Sequence, residues 1–213
     1  MMRRTLTTLA LLVVVGPIAG AQGSVRLAVG AESRLWIEGT TNFSDWSCRA
    51  TTLDAQIEVQ LGFREAADFP HYLRSVQVKV PVSGLECGND RMERDLRKAL
   101  KADDGTGITY IMASFDAVEG QKVEGYTVHT VGTLMLAGRE NSLAMDVNAT
   151  RLAGGGVQAA GEVPILMTDF GIKPPRGMLG VVRAGDRVVV KFDLTLDRET
   201  IAGVTALSES ISR

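Results

Sequence analysis

Aromatic residues are scarce in this chain, at 5% of 213 residues. That is too few for the stacking platforms that hold single-stranded nucleic acid. Charge of either sign is not in excess: 23 Lys and Arg stand against 25 Asp and Glu, a formal net charge of −2. No global field therefore draws the chain to nucleic acid or to an anionic membrane. Histidine occurs twice, at His71 and His129. His71 follows Phe69-Pro70 in a loop, and strand parity points His129 outward, so both read as solvated surface side chains. Neither stands in zinc-like spacing with a cysteine, and a two-histidine metal site would need both to converge with a carboxylate. No apolar run reaches the roughly 20 residues of a comfortable membrane span.

Catalytic motifs are missing too. TDFGIKPPRGMLG, Thr168 to Gly180, contains the DFG triplet of protein kinases. No Gly-rich loop, strand lysine or H-R-D loop precedes it, so the kinase reading fails. Gly154-Gly155-Gly156 lacks the G-x-G-x-x-G spacing and precedes a strand. There is no G-x-S-x-G elbow, and Cys48 with His129 makes a poor nucleophile–base pair if Cys48 is in a disulfide. Asp103-Asp104 and Glu93-Asp95 lie in or beside a helix and read as solvated charge, not as a general acid and base. Asn42-Phe43-Ser44 and Asn148-Ala149-Thr150 match the glycosylation sequon by pattern only. Nothing here argues for an enzyme, a metal or a cofactor.

What is present begins with an export signal. Arg3 and Arg4, the apolar run Leu9 to Ile18 and Ala19-Gly20-Ala21 form the charged, apolar and A-x-A regions of a signal peptide over residues 1–21. The mature chain, 22–213, is then a single domain, periplasmic or secreted. The competing reading is an uncleaved anchor, for which the run is short. Two cysteines in an exported chain read as a disulfide between Cys48 and Cys87, against the alternative of two free buried thiols. Bonded, their Cα atoms should lie about 4.4 to 6.8 Å apart. Strand parity gives neither an inward position.

Period-two alternation dominates the rest. Leu53, Ala55, Ile57, Val59 and Leu61 alternate with polar residues, as do Val76, Val78, Val80 and Val82. Val188, Val190, Phe192, Leu194 and Leu196 repeat the pattern. Such strands have one apolar and one wetter face, the pattern of antiparallel sheets. Eight are expected, near 33–41, 48–61, 73–82, 108–118, 123–138, 142–150, 156–167 and 186–197, most joined by short Gly-containing turns. Pro81 and Pro164 call for an edge, a bulge or a strand end. One helix interrupts the series near 90–101, with Asp90 as N-cap and Glu93 three residues on; it should lie across an open end of the sheet. The segment after Arg198 reads as a frayed tail. The fold class is all-β, and eight antiparallel strands cover their apolar face by closing into a barrel. Such a barrel has room for side chains or for one small ligand.

Four segments together resemble the YceI family of periplasmic lipid-binding proteins. They are SRLWIEGTTNFSDWSC (Ser33 to Cys48), the Val76 to Val82 strand with MERDLRKALKADDG, VGTLMLAG (Val131 to Gly138) and TDFGIKPPRGMLGVVRAGDRVVVKFDLTL (Thr168 to Leu196). They extend in order across nearly all of the mature chain. Thr106-Gly107 stands where such proteins often have a proline, and the Cys48/Cys87 pair is not general to the family. The resemblance implies a lipocalin-like barrel of eight antiparallel strands, with an apolar lumen for a polyisoprenoid or another long-chain amphiphile, and no enzymatic activity. Within that frame, parity nominates Leu35, Ile37, Ile57, Val59, Val78, Val80, Tyr110, Met112, Val128, Leu134, Leu136, Met145, Val147, Val190 and Phe192 as lumen-facing. Strand four, ITYIMASF, is apolar on both faces. Asp169-Phe170-Gly171 falls in the corner between the seventh and eighth strands. There Asp169 can bond backbone N–H groups, Phe170 can plug the mouth and Gly171 can let the chain reverse. Lys173 and Arg176 are candidates to meet a polar head group. The alternative is a filled barrel acting as a structural or partner-binding module.

Overall fold

The computed structural model describes residues 24–60, 72–102, 107–119, 125–152 and 156–198. The expected signal peptide, His71, Asp103-Asp104, Gly154-Gly155 and the tail after Arg198 lie outside them.

Eight antiparallel staves close into a barrel. The first is broken in two, β1 (Ser24–Val29) and β2 (Arg34–Thr41), and so is the second, β3 (Asp45–Ala50) and β4 (Asp54–Gln60). β2 pairs with β3, and β1 with β4. The third stave is β5 (Leu73–Val80), with β6 (Leu85–Glu86) continuing beside β3. The rest are β7 (Ile108–Glu119), β8 (Gly125–Leu136), β9 (Arg139–Arg151), β10 (Val157–Leu166) and β12 (Val182–Arg198), with the two-residue β11 (Arg176–Gly177) pairing on β12. β12 closes the ring through β1 at Leu27–Val29 and through β2 at Arg34–Thr41. Each stave pairs with its neighbours in sequence, so no edge runs the length of the sheet.

The eight expected strands are therefore present, in order, with two corrections. The first stave starts at Ser24, not near residue 33, because the polar turn at 30–33 splits it. The second starts at Asp45 and is interrupted at 51–53. That interruption shifts parity: Trp46, Cys48 and Ala50 are the less exposed positions of β3, whereas Ala55, Ile57 and Val59 are those of β4. The step from Ala50 to Ala55 is five positions, an odd number, and it moves the inward set from even to odd numbers. Cys48 opposes Ile37 and is 1% exposed, so its side chain points inward, not outward as simple alternation had it.

Both prolines are where sheets tolerate them. Pro81 follows the last residue of β5. Pro164 pairs with Val189 on one side only, because the β9–β10 ladder stops at Ala160. Two glycines make room for rings: a Cβ at Gly161 would lie 2.7 Å from the Phe192 ring, and one at Gly39 would collide with the Trp46 indole. Outside the barrel, Lys191 reaches Glu38 at 2.7 Å and Glu162 at 3.9 Å, bracing β2, β12 and β10.

The helix, α1 (Asp90–Ala99), starts one residue earlier than capping logic suggested. Its N-cap is Asn89, whose Oδ1 accepts from the N–H groups of Arg91 and Met92 at 3.0 and 3.1 Å. Glu93 reaches back to the Cys87 N–H at 3.0 Å. Cys87 is bonded to Cys48 with a Cα separation of 4.0 Å, slightly under the expected interval. The disulfide thus pins the lead-in of α1 to β3. Leu96, Ala99 and Leu100 lay the helix against the core at one end of the barrel.

Candidate functional site

A cavity of about 480 Å³ runs along the barrel axis and is walled almost entirely by apolar side chains. Of the fifteen positions nominated by parity, all but Val59 line it. Val59 is fully buried in the cluster with Leu27 and Val157 that fills the end remote from α1. The ambiguity of strand four is resolved: Tyr110 and Met112 face the cavity, and Ile111 is 43% exposed on the outer face. The strand alternation also carried Val163, Ile165, Leu194 and Leu196, which line the cavity without having been nominated. Met92, Leu96 and Ala99 of α1 line it as well. The helix thus lies across one end of the barrel, as expected, and roofs the lumen there.

One polar rung crosses the wall. The Tyr110 hydroxyl donates to Thr130 Oγ1 at 3.2 Å, and Thr130 donates to the Met145 carbonyl at 3.2 Å. Thr130 is buried at 7% exposure, and its partners remove the cost of an unpaired hydroxyl. Burial pushes the Tyr110 phenol above its ordinary range, and the bond to Thr130 opposes this in part. The folded protein thus holds this proton more tightly than the unfolded chain. Its contribution to stability is complete below the unfolded pKa, about 10, and is lost as pH rises through the folded value. Tyr110→Phe should flatten the alkaline limb of the stability curve, read by denaturant midpoints against pH. An unchanged alkaline limb would show that Tyr110 does not govern it.

The mouth is at the α1 end. Asn89, Arg91 and Asp95 line it there together with Thr41, Ser44, Pro175 and Gly177. The DFG corner forms part of this rim. Met167–Phe170 is a 3-10 turn ended by Gly171 at φ 67°, with N–H bonds from Gly171 to Thr168 and from Ile172 to Met167, both 3.0 Å. Gly171 serves the reversal as expected, since the left-handed region penalises a Cβ. The carboxylate that secures the turn is not Asp169 but Asp186. It accepts from the Thr168 N–H at 2.9 Å and the Thr168 hydroxyl at 2.6 Å. Asp169 is exposed and gives its backbone carbonyl to Asn141 Nδ2 at 2.8 Å. Asp186→Ala should therefore cost on the order of 1 kcal/mol or more, and Asp169→Ala much less. Urea midpoints of the two variants check this; the reverse order would contradict it.

Phe170 is buried among Ile37, Val188 and Met167 and does not line the cavity, so it packs beneath the rim instead of plugging the mouth. Lys173 and Arg176 are exposed, and neither lines the cavity. His129 is on the outer face as expected, 2.6 Å from Asp146. Among the described residues no three His, Cys, Asp or Glu side chains gather as a metal site, and no helix is long and apolar enough to cross a membrane.

A model of the YceI-like domain family matches residues 22–196. Among solved structures, BcnA of Burkholderia cenocepacia is similar at TM-score 0.61 and 15% identity, over 79% of this chain and 99% of that one. A polyisoprenoid-binding domain from Saccharophagus degradans, implicated in plant cell wall breakdown, gives TM-score 0.60 and 15% identity over 84% and 99%. The YceI protein of Campylobacter jejuni gives 0.54 and 15% over 72% and 84%. At these identities the likeness is one of fold. No curated protein matches the chain significantly.

Proposed function

From the premise that this chain belongs to the YceI-like family, we infer that it is a non-enzymatic carrier that holds one amphiphile tail-inward in its barrel. The observation that carries the reading is the lumen, an apolar cavity of about 480 Å³ open toward α1. That volume falls within the range of small-molecule sites, roughly 300 to 1,000 Å³. A sugar or nucleotide would leave its polar groups unpaired along such walls, whereas an alkyl or isoprenoid chain would not. Each buried methylene contributes about 0.8 kcal/mol, so ten contribute roughly 8 kcal/mol before binding costs, in keeping with micromolar affinity. The polyisoprenoid-binding neighbour supports an isoprenoid or quinone-like tail. The head group stays at the mouth, near Arg91 and Asn89 on one side and the loop bearing Lys173 and Arg176 on the other. Periplasmic placement is supported by the family match starting at Gln22, directly after the A-x-A motif.

The test is uptake of a long-chain isoprenoid presented in detergent to the delipidated protein, followed by mass spectrometry of the complex. Stoichiometric uptake is expected. A protein that takes up neither isoprenoid nor alkyl chains would instead be a structural module.

A further inference from the structure

The lumen mouth is flanked by the three most exposed large apolar side chains among the described residues: Phe43 at 69%, Val181 at 59% and Leu179 at 108%. They share one place in the fold. Phe43 is at the tip of the β2–β3 turn, and Leu179 and Val181 are on the turn between β11 and β12. Asn42 ties the two tips together. Its N–H donates to the Arg183 carbonyl at 3.1 Å and its Nδ2 to the Val181 carbonyl at 2.9 Å, while its Oδ1 accepts from the Arg183 N–H at 2.7 Å. Thr41, Ser44, Gly177 and Val182, next to these tips, line the lumen.

A single exposed leucine is ordinary. Leu179 is not, because its backbone stands in the left-handed region at φ 55° and ψ 29°, which disfavours a residue with a Cβ. Arg183 Nε helps to hold it there through the Gly180 carbonyl at 3.2 Å. A strained turn that presents an aliphatic side chain entirely to solvent suits a contact made outside the molecule. Its chemistry follows from the charges around it. Lys173, Arg176 and Arg183 are exposed on the same rim, and no ion pair among the described residues takes any of them. Of the nearby acids, Asp45, Asp95 and Asp169 are exposed and Asp186 is turned to Thr168, whereas Arg176 and Arg183 face each other across β11 and β12, next to the Leu179 turn. A second copy of this chain set against the patch would bring the two sets of cations together. An anionic bilayer answers both features, with acyl chains for the prongs and phosphates for the cations.

We propose that this rim docks the barrel mouth on an anionic phospholipid surface, with Phe43, Leu179 and Val181 in the headgroup region. The docking stands on the rim's own residues. Its consequence, transfer of an amphiphile between bilayer and lumen without crossing bulk water, rests on the carrier reading.

The experiment is flotation of the purified protein with vesicles of phosphatidylcholine alone and with added phosphatidylglycerol. Binding is expected to the anionic vesicles and to weaken with salt. Removing all three prongs (Phe43→Ser, Leu179→Asn, Val181→Ser) should lower the vesicle partition by about tenfold or more. Lys173→Glu with Arg176→Glu should lower it by about fivefold per charge on anionic vesicles only. Leu179→Asn alone should reduce partition with thermal stability unchanged or raised, since Asn tolerates the left-handed region; a merely structural leucine would show the opposite. Equal partition of wild type and variants, or no partition, overturns the proposal. So does a dimer in sedimentation that the three prong substitutions abolish. Isoprenoid uptake from detergent, measured alongside, reports on the lumen alone. Vesicle binding without uptake sinks the carrier reading and leaves docking standing, and uptake without vesicle binding does the reverse.

Discussion

Val128→Arg should abolish lipid capture by the folded protein. Val128 is 2% exposed, lies on β8 and lines the lumen. Its parity partners Thr130, Leu134 and Leu136 are all buried on the same face. A guanidinium stays charged at any pH the fold survives. Among walls otherwise apolar it would keep water with it, and an alkyl chain entering would have to strip that water from an unpaired charge. That costs several kcal/mol, enough to cancel most of the roughly 8 kcal/mol that ten methylenes contribute. Affinity should fall by a factor of a thousand or more, on the order of 4 kcal/mol. The variant carries a risk to folding, so Met145→Lys serves beside it, at a less buried position of β9 that also lines the cavity. A neutral control separates charge from space. Ala159→Phe, at a buried position of the lumen wall, fills space without a charge and should weaken long-chain uptake, at a cost of roughly 1–3 kcal/mol in stability from overpacking. Circular dichroism confirms the fold, and fluorescent-lipid displacement reads the affinity. Full capture by a folded Val128→Arg protein would place the ligand elsewhere.

Opening the Cys48–Cys87 disulfide should produce the largest loss of stability. The bond closes a span of 39 residues, worth about 4 kcal/mol in the chain-entropy account. For a domain of this size that corresponds to a thermal midpoint lower by on the order of 10 °C. The double variant Cys48→Ala, Cys87→Ala is preferred, because Cys48 is 1% exposed and a serine hydroxyl there would add its own burial cost. Capture should weaken less than stability does. Cys48 does not line the lumen, but Cys87 lies two residues before the Asn89 cap of α1, which roofs the mouth. Calorimetry of the oxidised, reduced and double-variant proteins checks this. A reduced protein melting with the oxidised one would contradict it.

Much of the fold could be read from the sequence because each stave buries one face, and alternation is then imposed on every second residue. The reading failed where alternation restarts. The turn at 30–33 hid β1, and the interruption at 51–53 moved Cys48 from the outer face to the inner one. A parity argument cannot cross such a break, because nothing in the residues before it states how many positions the break consumes. The lumen wall was legible for the same reason as the strands, down to Tyr110 and Met112 on a strand apolar on both faces. Val59 shows the limit: parity identifies the inner face but not the depth at which a cavity ends and packing begins. The rim was the least legible part. Asp169 and Asp186 are both plausible turn carboxylates in sequence, and only the approach of β12 to the corner selects Asp186 for Thr168. Likewise, the pairing of the Phe43 and Leu179 tips depends on Asn42 meeting Arg183 across 141 positions.

The most direct test is to purify the protein under non-denaturing conditions, extract it with organic solvent and weigh what is released. The account predicts one long-chain amphiphile per barrel, missing from an extract of folded Val128→Arg or Met145→Lys protein. An empty wild-type extract, together with no uptake of added isoprenoid by the delipidated protein, would contradict it.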